Sequence, residues 1–413
     1  MAKDNKSELD VEATQANTAV PHVSRRSLLT TMSAGIAATA VAQTTHAGDS
    51  KIGFAPVGVK QDSSVHAANK RLAARFLRDM ATGSADAVLA DCCHADCRWE
   101  IFHPFNSFVG LKEVSEKFWQ PLKKSFPDYE QRIAFGVGGE YEGRTQVSML
   151  SQIMGTFDEP WLGIPPVRAL AYLRFGFNAI VRDGKIAKAY ILLDIVDLMR
   201  QAGYYPFREM PGSPEAWPFP PSDTDASVER YDGVRGEVAL RIVREMQTGL
   251  VKPSEIKLLA TRPGKHSPHW HVNMNWCGPA GIGSMRGMRG FRDHHGSLFL
   301  QAFPDRSGFA REPNGAEDAP GHYVRLGDGQ FAVTGGWPSL RGTHLGAEWL
   351  GLPPTGRKID MRVADWYRLD GDNKIVDNWV HIDVPHMLFQ MGYDLFHDLA
   401  YRVNRGLERR PQF

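Results

Sequence analysis

Residues 349–354 read Trp-Leu-Gly-Leu-Pro-Pro, and residues 161–166 read Trp-Leu-Gly-Ile-Pro-Pro. Other segment pairs match in the same order along the chain: Arg78–Gly83 with Arg244–Gly249, Phe126–Asp128 with Phe303–Asp305, and Lys185–Tyr204 with Lys374–Tyr393. Matches that keep one order over such a distance are typical of an internal repeat, here a repeat of domain size. We therefore predict two tandem domains, at residues 62–204 and 233–393.

A proline-rich stretch, residues 205–232, separates the two predicted domains. Its prolines include Pro206, Pro211, Pro214, Pro218, Pro220 and Pro221. Such a composition is typical of a stiff, extended linker. After the second domain, apolar residues recur at helical spacing, so residues 394–413 are predicted to form a closing helical tail.

The composition of the whole chain excludes several classes of protein. The 413 residues contain 48 Lys and Arg against 47 Asp and Glu, and a net charge of +1 argues against a nucleic-acid partner. No apolar run reaches the roughly 20 residues that a membrane span needs. Four cysteines are too few for a disulfide framework, although a short disulfide within Cys92, Cys93 and Cys97 stays open. Soluble globular domains remain, without a membrane partner once any signal peptide is removed.

The first 47 residues look like an export signal. Ser24-Arg25-Arg26-Ser27-Leu28-Leu29 precedes a short apolar stretch, and Thr45-His46-Ala47 offers the small residues of a cleavage site. This order resembles a twin-arginine signal peptide behind a disordered tail. We expect export of the folded protein to the periplasm or the extracellular space. A disordered tail with a chance arginine pair is the alternative.

Each predicted domain begins with a helical pattern and ends with strand patterns. In the first domain, Leu72, Phe76 and Met80 lie near one helical face. In the second domain, residues 361–369 and 375–384 alternate apolar and polar side chains, as β-strands do. Helices first and strands after them predict an α+β fold with an antiparallel sheet.

A series of motifs runs through the second domain. Gly342-Thr343-His344 is followed by Gly351-Leu-Pro-Pro-Thr-Gly-Arg357, by Trp379 four residues before Asp383, and by Gln390 two residues before Gly392. This order resembles the SnoaL-like polyketide (ester) cyclase family of the nuclear-transport-factor-2-like superfamily. The resemblance implies two tandem cone-shaped domains, each a curved antiparallel sheet wrapped around N-terminal helices, with a pocket between sheet and helices.

The last strand pattern of the second domain places Trp379, His381 and Asp383 on one face of its sheet. The resemblance implies that Asp383 is the acid and base, which removes a proton from a carbon flanked by carbonyl groups so that the carbanion closes a ring. It also implies that no metal and no organic cofactor takes part. Desolvation by Trp379 and Trp366 would raise the pKa of Asp383. His344 and His381 would donate hydrogen bonds to the developing enolate oxygen.

Other residues are weaker candidates for a site. Asp194 holds the position of Asp383 in the first domain, with Tyr190 on the same strand face, and both are predicted to line a pocket there. For Asp194 and Tyr190, the alternative hypothesis is that the first domain is a decayed copy that packs against the second. For Asp383, the alternative hypothesis is a structural cap at the end of its strand. His271 is predicted to line the second pocket. It shares a strand face with His269, but the spacing matches no zinc motif, so no metal site is predicted.

Together these residues predict cofactor-free acid/base chemistry on a small, apolar carbonyl compound: an intramolecular aldol cyclisation, or a related isomerisation or dehydration. The rival hypothesis is a non-catalytic protein that binds a small molecule or associates with itself. An intramolecular pseudo-dimer of the two domains and a homodimer of the chain are both compatible with the sequence. Function does not follow from such a fold alone.

Overall fold

The computed structural model describes residues 63–221, 226–251, 268–307 and 324–407. The predicted signal peptide and the end of the predicted tail lie outside the described residues, so both stay predictions. In the described part of the chain, no helix is both long and apolar enough to cross a membrane. The described residues all belong to one compact unit.

The first half of this unit contains a six-stranded sheet with the strand order β2-β1-β6-β5-β4-β3. Its strands are β1 (Cys93–Ile101), β2 (Asn106–Val109), β3 (Glu130–Tyr141), β4 (Arg144–Thr156), β5 (Leu170–Arg182) and β6 (Lys185–Leu193). Its helices are α1 (Ser63–Thr82), α2 (Ala85–Cys92), α3 (Leu111–Val114), α4 (Gln120–Ser125) and α5 (Ile195–Gln201), with a π-helical turn at Ser115–Trp119. Helix α1 packs across β3 and β4.

The second half contains a sheet with the corresponding order β8-β7-β12-β11-β10-β9. Its strands are β7 (Trp270–Cys277), β8 (Met285–Arg286), β9 (Val324–Asp328), β10 (Phe331–Thr343), β11 (Lys358–Leu369) and β12 (Ile375–Ile382). Its helices are α6 (Gly233–Val251), α7 (Gly287–Phe291), α8 (Ser297–Ala302), α9 (Val384–Gln390) and α10 (Leu395–Asn404), with a π-helical turn at Arg292–Gly296.

This architecture confirms the predicted α+β class with two cone-shaped domains. One detail differs from the expected antiparallel sheets: both sheets are mixed, because β1 pairs with β6 and β7 pairs with β12 in parallel. Parallel neighbours need a long crossover connection, and the intervening strands provide it. Side-chain alternation is the same in both kinds of pairing, so the sequence pattern does not distinguish them.

The two sheets pack against each other through one face of each. Phe135 of β3 stacks on Phe331 of β10 with ring centroids 4.2 Å apart, and its ring lies 5.5 Å from that of Trp379. Gly176 of β5 makes room for Trp366, because an added Cβ would come within 2.6 Å of the indole. The four aromatic side chains are buried. These sheet faces therefore form a core between the domains, in addition to the core inside each domain.

The proline-rich segment predicted as a linker packs at the same interface. Trp217 is buried there, and the Arg174 guanidinium lies 4.7 Å from the centre of its ring. The carbonyl of Pro218 accepts a hydrogen bond from Trp379 Nε1 at 2.8 Å. Contact with both sheets means that this segment contributes to the interface as well as joining the domains.

The four cysteines are buried and free. Burial raises the pKa of Cys92 to about 12 and that of Cys277 to about 12. A thiol with such a pKa carries almost no thiolate at neutral pH, so neither residue is a nucleophile.

Candidate functional site

The second domain contains a partly open apolar cavity of about 160 Å³ between its sheet and its helices. Strands β11 and β12 contribute one wall, and α7, α8 and the π-helical turn between them contribute another. The apolar lining includes Trp270, Trp276, Phe291, Phe299, Trp349 and Met361. Because polar side chains are few in such a cavity, those present are the candidates for orienting or reacting with a ligand.

Asp365 is a carboxyl that faces this cavity. Along β11, Val363, Asp365 and Tyr367 all line it, as strand alternation requires. Asp365 keeps some accessible surface, and it is part of the cavity lining. Burial raises the pKa of Asp365 to about 7, although hydrogen bonds with Asn378 and Tyr367 oppose the rise. A carboxyl that titrates near neutral pH can both take up and return a proton.

A polar network behind Asp365 holds its carboxyl in place. Gln247 of α6 donates from Nε2 to Thr334 Oγ1 at 2.8 Å and to the Tyr367 hydroxyl at 3.4 Å. Tyr367 is hydrogen-bonded to Asp365, and burial raises the pKa of the phenol well above its usual value. Tyr367 therefore stays protonated and donates to the ionised carboxylate. Because Gln247, Thr334 and Tyr367 are buried, the network has little freedom to rearrange.

His295 lines the cavity from the π-helical turn Arg292–Gly296. Its imidazole stacks on Trp276 with centroids 4.2 Å apart and faces the ring of Phe299 at 5.7 Å. Burial among these rings lowers the pKa of His295 to about 3, so the imidazole is neutral at neutral pH. A neutral imidazole has one donor nitrogen and one acceptor nitrogen. It is therefore suited to bind a carbonyl oxygen without adding a charge to the cavity.

Asp383, the predicted acid/base residue, is a buried helix cap and does not line this cavity. Its Oδ1 accepts a hydrogen bond from His386 N at 3.1 Å, at the start of α9. Its Oδ2 accepts from Arg362 Nη1 at 3.0 Å and from His103 N, in the first domain, at 3.0 Å. Burial raises the pKa of Asp383 and the Arg362 charge lowers it. Through these partners the carboxylate connects the start of α9 with the backbone of the first domain.

Trp366, Trp379 and His381, also predicted at the pocket, lie on the opposite face of β11 and β12. That face packs on the first domain, where the His381 ring lies 5.3 Å from Trp366 and 5.3 Å from Trp217. Burial lowers the pKa of His381 to about 3. Tyr190, predicted to line a pocket of the first domain, is buried at the same interface. Both faces of β11 and β12 are covered by protein: one face by the elements around the cavity and the other by the first domain.

His344 and His271 likewise lie outside the cavity lining. The His344 ring is fully buried, with Nε2 2.8 Å from the Ala347 carbonyl and Nδ1 3.3 Å from Thr355 Oγ1, so it fixes the loop after β10. Nδ1 of His271 accepts a hydrogen bond from Asn273 N at 3.1 Å within β7. Across the described ranges, no group of three or more His, Cys, Asp or Glu side chains is placed to hold a metal ion.

Asp194 has the same arrangement in the first domain as Asp383 in the second. It caps α5 by accepting from Asp197 N at 3.1 Å, and it accepts from Arg174 Nη1 at 2.9 Å. Its Oδ2 also accepts from Ala280 N, in the second domain, at 2.9 Å. Each domain therefore contributes one capping aspartate that also binds the backbone of the other domain.

The interior of the first domain is filled by aromatic side chains at the corresponding place. Phe177 and Asp365 hold matching positions, each three residues after the arginine that binds the capping aspartate. The ring of Phe76 lies 5.7 Å from Phe177 and 5.7 Å from Trp119. These three side chains are fully buried. A phenyl ring in place of the carboxyl makes this region a packed core without an acid or base at that position.

Sequence reasoning missed several polar residues of the cavity lining, among them Gln247, His295, Asp365, Tyr367 and Asn378. One signal was available, because Asp365 falls on the same strand face as Met361 and Val363. A carboxyl among apolar residues on a buried strand face is costly unless it has partners or a function. Gln247 and His295 had no comparable signal, since only the tertiary structure brings their helices to this sheet.

Residues 337–391 match the family model for SnoaL-like polyketide cyclase. The matched segment contains β11, β12 and the loop before them, and so includes Asp365, Asn378 and Asp383. It covers much less than half of the chain. A comparison with curated proteins finds no match.

Several solved structures resemble about a third of the chain. A proposed SnoaL-like polyketide cyclase from Jannaschia sp. CCS1 is 18% identical with a TM-score of 0.30, over 34% of this chain and 95% of that one. A proposed polyketide cyclase from Xanthomonas campestris pv. campestris is 19% identical with a TM-score of 0.29, over 33% and 98%. AclR, a proposed hydroxylase from Streptomyces galilaeus, is 14% identical with a TM-score of 0.30, over 35% and 89%. Similarities this low carry no argument about chemistry.

Proposed function

We propose that the second domain binds a small carbonyl compound in its cavity and moves a proton on it, with Asp365 as the acid/base group. The observation that carries this proposal is a carboxyl whose pKa is raised to about 7 inside an apolar cavity. The match of residues 337–391 to a cyclase family model supports the same class of chemistry. No metal or organic cofactor is part of the proposal.

In the proposed reaction, ionised Asp365 removes a proton from a carbon next to a carbonyl group. The C–H electron pair moves onto the carbonyl oxygen as an enolate, and the proton stays on Asp365. The enolate carbon attacks a second carbonyl of the same molecule, and Asp365 returns the proton to the new alkoxide. The product is an aldol isomer of the substrate, so the reaction balances without an added reagent. Return of the proton to a different carbon gives an isomerisation instead.

The residues around Asp365 would support these steps. Tyr367 and Asn378 bind the carboxylate through hydrogen bonds and set its orientation. Neutral His295 would donate a hydrogen bond to the enolate oxygen, where negative charge develops. The aromatic walls keep bulk water away from the reacting carbon, which strengthens both interactions.

The role predicted for Asp383 therefore passes to Asp365. Asp383 already accepts hydrogen bonds from Arg362 and from two backbone amides, and it has no exposed surface. Protonation of such a carboxylate would break a buried ion pair. We propose that Asp383 is structural and that the first domain, with its filled interior, supports the second one.

The test is deuterium exchange at the methyl group of acetylnaphthalene, an apolar ketone whose uncatalysed exchange is slow, followed by proton NMR in deuterium oxide. The full chain should accelerate exchange, and Asp365→Asn should slow it by about 100-fold or more because a general base is lost. The melting temperature of the variant should not fall, since the amide keeps the hydrogen bonds.

The matched control is Asp383→Asn, which should lower the melting temperature while folded protein exchanges the probe at the wild-type rate. Equal exchange by wild type and Asp365→Asn would refute the proposed role of Asp365. If the probe quenches tryptophan fluorescence but no exchange occurs, the non-catalytic binding hypothesis replaces the catalytic one.

Export by the twin-arginine route, and self-association of the chain, are retained as proposals. The residues that motivate export, Arg25 and Arg26, lie outside the described ones. We expect the double substitution Arg25→Lys, Arg26→Lys to leave the protein in the cytoplasm, measured by cell fractionation. Unaltered export of the double variant would contradict this proposal.

A further inference from the structure

Strand β1 bulges out of its sheet near its start. Cys93 is paired with Ile186 of β6. Arg98, five residues further along β1, is paired with Lys188, which is only two residues further along β6. Two residues of a strand span about 7 Å, so the residues between Cys93 and Arg98 cannot continue as a straight strand and form a bulge. The bulge brings its last residue, Cys97, back towards Cys93.

The thiols of Cys93 and Cys97 meet on the inner side of this bulge. Both side chains are buried, whereas Ala95 and Asp96 between them are exposed. A hydrogen bond between the two thiols, together with burial, raises the pKa of Cys93. The Cα atoms of a disulfide lie about 4.4–6.8 Å apart. Two thiols in contact, across a bulge whose ends are about 7 Å apart, are therefore close to the geometry that a disulfide needs.

The other two cysteines have different neighbours. Cys92 ends α2, and its Sγ donates to Asp91 Oδ2 at 3.7 Å. Cys277 lies in β7 of the second domain, where its thiol is hydrogen-bonded to Ser284. Cys93 and Cys97 are thus the cysteines that the fold brings into contact.

A surface segment of three residues, 94–96, covers these thiols. Its side chains are half-exposed or exposed, and none of the three residues is paired with β6 in the described sheet. The His94 ring, with Nε2 2.8 Å from the Arg182 carbonyl, holds the segment against the sheet. A segment with few ladder hydrogen bonds opens at a lower free energy than the domain unfolds. A small oxidant can therefore reach the thiols while the sheet stays folded.

We propose that Cys93 and Cys97 are a modification site, a dithiol that a small disulfide such as oxidised glutathione converts into a disulfide across the bulge. The thiolate of one cysteine attacks a sulfur of the oxidant, which forms a mixed disulfide and releases one small thiolate. The thiolate of the other cysteine attacks the protein sulfur of the mixed disulfide, which forms the Cys93–Cys97 bond and releases the second small thiolate. The two released thiolates take up the two protons that the cysteines lost. Two protein thiols are thus oxidised and one small disulfide is reduced.

This inference is independent of the proposed function, because both cysteines lie in the first domain. The export that the sequence predicts would bring the chain into an oxidising environment, where such a bond persists.

The experiment counts thiols in the folded full chain before and after treatment with oxidised glutathione. Treatment at about pH 8.5 ionises more of the thiol than neutral pH does. The chain is then unfolded, alkylated with iodoacetamide and weighed by mass spectrometry. Untreated protein should take up four alkyl groups, one for each free cysteine. Treated protein should take up two fewer, and before alkylation it should be about 2 Da lighter because two hydrogens are lost.

Matched variants identify the pair. Cys92→Ala and Cys277→Ala should each still lose two alkylatable thiols on treatment, whereas Cys93→Ala and Cys97→Ala should lose none. A protease that cleaves before Asp96 should release, from treated wild type, two peptides that stay joined until dithiothreitol is added.

The inference fails if folded wild type keeps all its alkylatable thiols after treatment, or gains glutathione without closing a bond. It also fails if Cys93→Ala still forms a disulfide, because the bond would then join Cys92 to Cys97. Fragmentation of the joined wild-type peptides distinguishes Cys92 from Cys93 directly, so the result does not depend on the folding of any variant.

Discussion

Asp365 and Asp383 both have raised pKa values, but their surroundings differ. Asp383 is paired with the Arg362 guanidinium and with backbone amides from both domains. Asp365 has hydrogen-bonding neighbours that are neutral, Tyr367 and Asn378, and it faces a cavity. Only Asp365 is therefore able to exchange a proton with a ligand near neutral pH without breaking an ion pair.

The first prediction at this scale concerns the pH dependence of exchange. Asp365 acts as a base only when it is ionised, and its pKa is about 7. The rate of ketone exchange should therefore rise with pH and reach half its maximum near pH 7. The measurement is the NMR exchange rate between about pH 5 and pH 9. A rate that is constant over this range would show that another group is the base.

The second prediction concerns stability, because a raised carboxyl pKa also changes folding with pH. The folded pKa of about 7 exceeds the ordinary value of 3.8, so between these values the folded state holds a proton that the unfolded state has lost. This group therefore lowers stability as pH rises from about 4 to about 7, by at most about 4 kcal/mol. Urea unfolding should show that the free energy of unfolding of Asp365→Asn increases relative to that of wild type as pH rises. A difference between these two free energies that is the same at every pH would exclude the raised pKa.

At the scale of elements, helices α5 and α9 begin in the same unusual way. Each has an aspartate N-cap that binds an arginine of its own sheet and a backbone amide of the other domain. The side chain of an ordinary N-cap accepts hydrogen bonds only from backbone N–H groups at the start of its own helix. These two caps therefore tie the start of a helix to the interface between the domains.

The third prediction compares the Asp383 cap with an ordinary N-cap. Asp383→Ala should lower the free energy of unfolding by about 3 kcal/mol, because the Arg362 guanidinium, only 14% exposed, loses its anionic partner and two backbone amides lose their acceptor. The control is Asp394→Ala, which removes the exposed cap of α10 and should cost about 1 kcal/mol. Denaturant unfolding of the two variants checks the comparison. Equal losses of unfolding free energy in the two variants would mean that the contact of Asp383 with the other domain adds nothing to stability.

Strand patterns show what a sequence makes predictable at this scale. The alternation along 361–369 and 375–384 corresponds to β11 and β12, because a strand with two different faces has a period of two residues. The partner of each face is not a local property. Trp366 and Asp365 are neighbours in sequence, yet one contacts the first domain and the other faces the cavity.

At the scale of the whole molecule, buried side chains from both domains meet at the interface between the sheets. Phe135 and Phe331 stack there with ring centroids 4.2 Å apart. At its side, Lys70 of α1 forms a buried ion pair with Asp328 at 2.5 Å, and Asp328 also accepts from Asp232 N at 2.9 Å. Domains joined by such an interface are expected to unfold together.

The fourth prediction tests this cooperativity. Phe135→Ala should destabilise the protein by about 3 kcal/mol or more, because it leaves a cavity between the sheets. Hydrogen exchange should show β6 and β12 losing protection together, in one step. Leu170→Ala is the control, since Leu170 is 68% exposed and its truncation should have little effect. Early loss of protection in one sheet alone would show that the domains unfold separately.

The sequence by itself determined local features of this protein: the helix near the start of each half, the strands towards its end, and the pairs of residues that share a strand face. It did so because helical and strand periodicities are properties of neighbouring residues. The tertiary structure alone decided which face of each sheet surrounds a cavity and which face meets the other domain. Both faces are buried, so their residues are alike in polarity. Only the packing of distant elements separates the helix-cap position of Asp383 from the cavity position of Asp365.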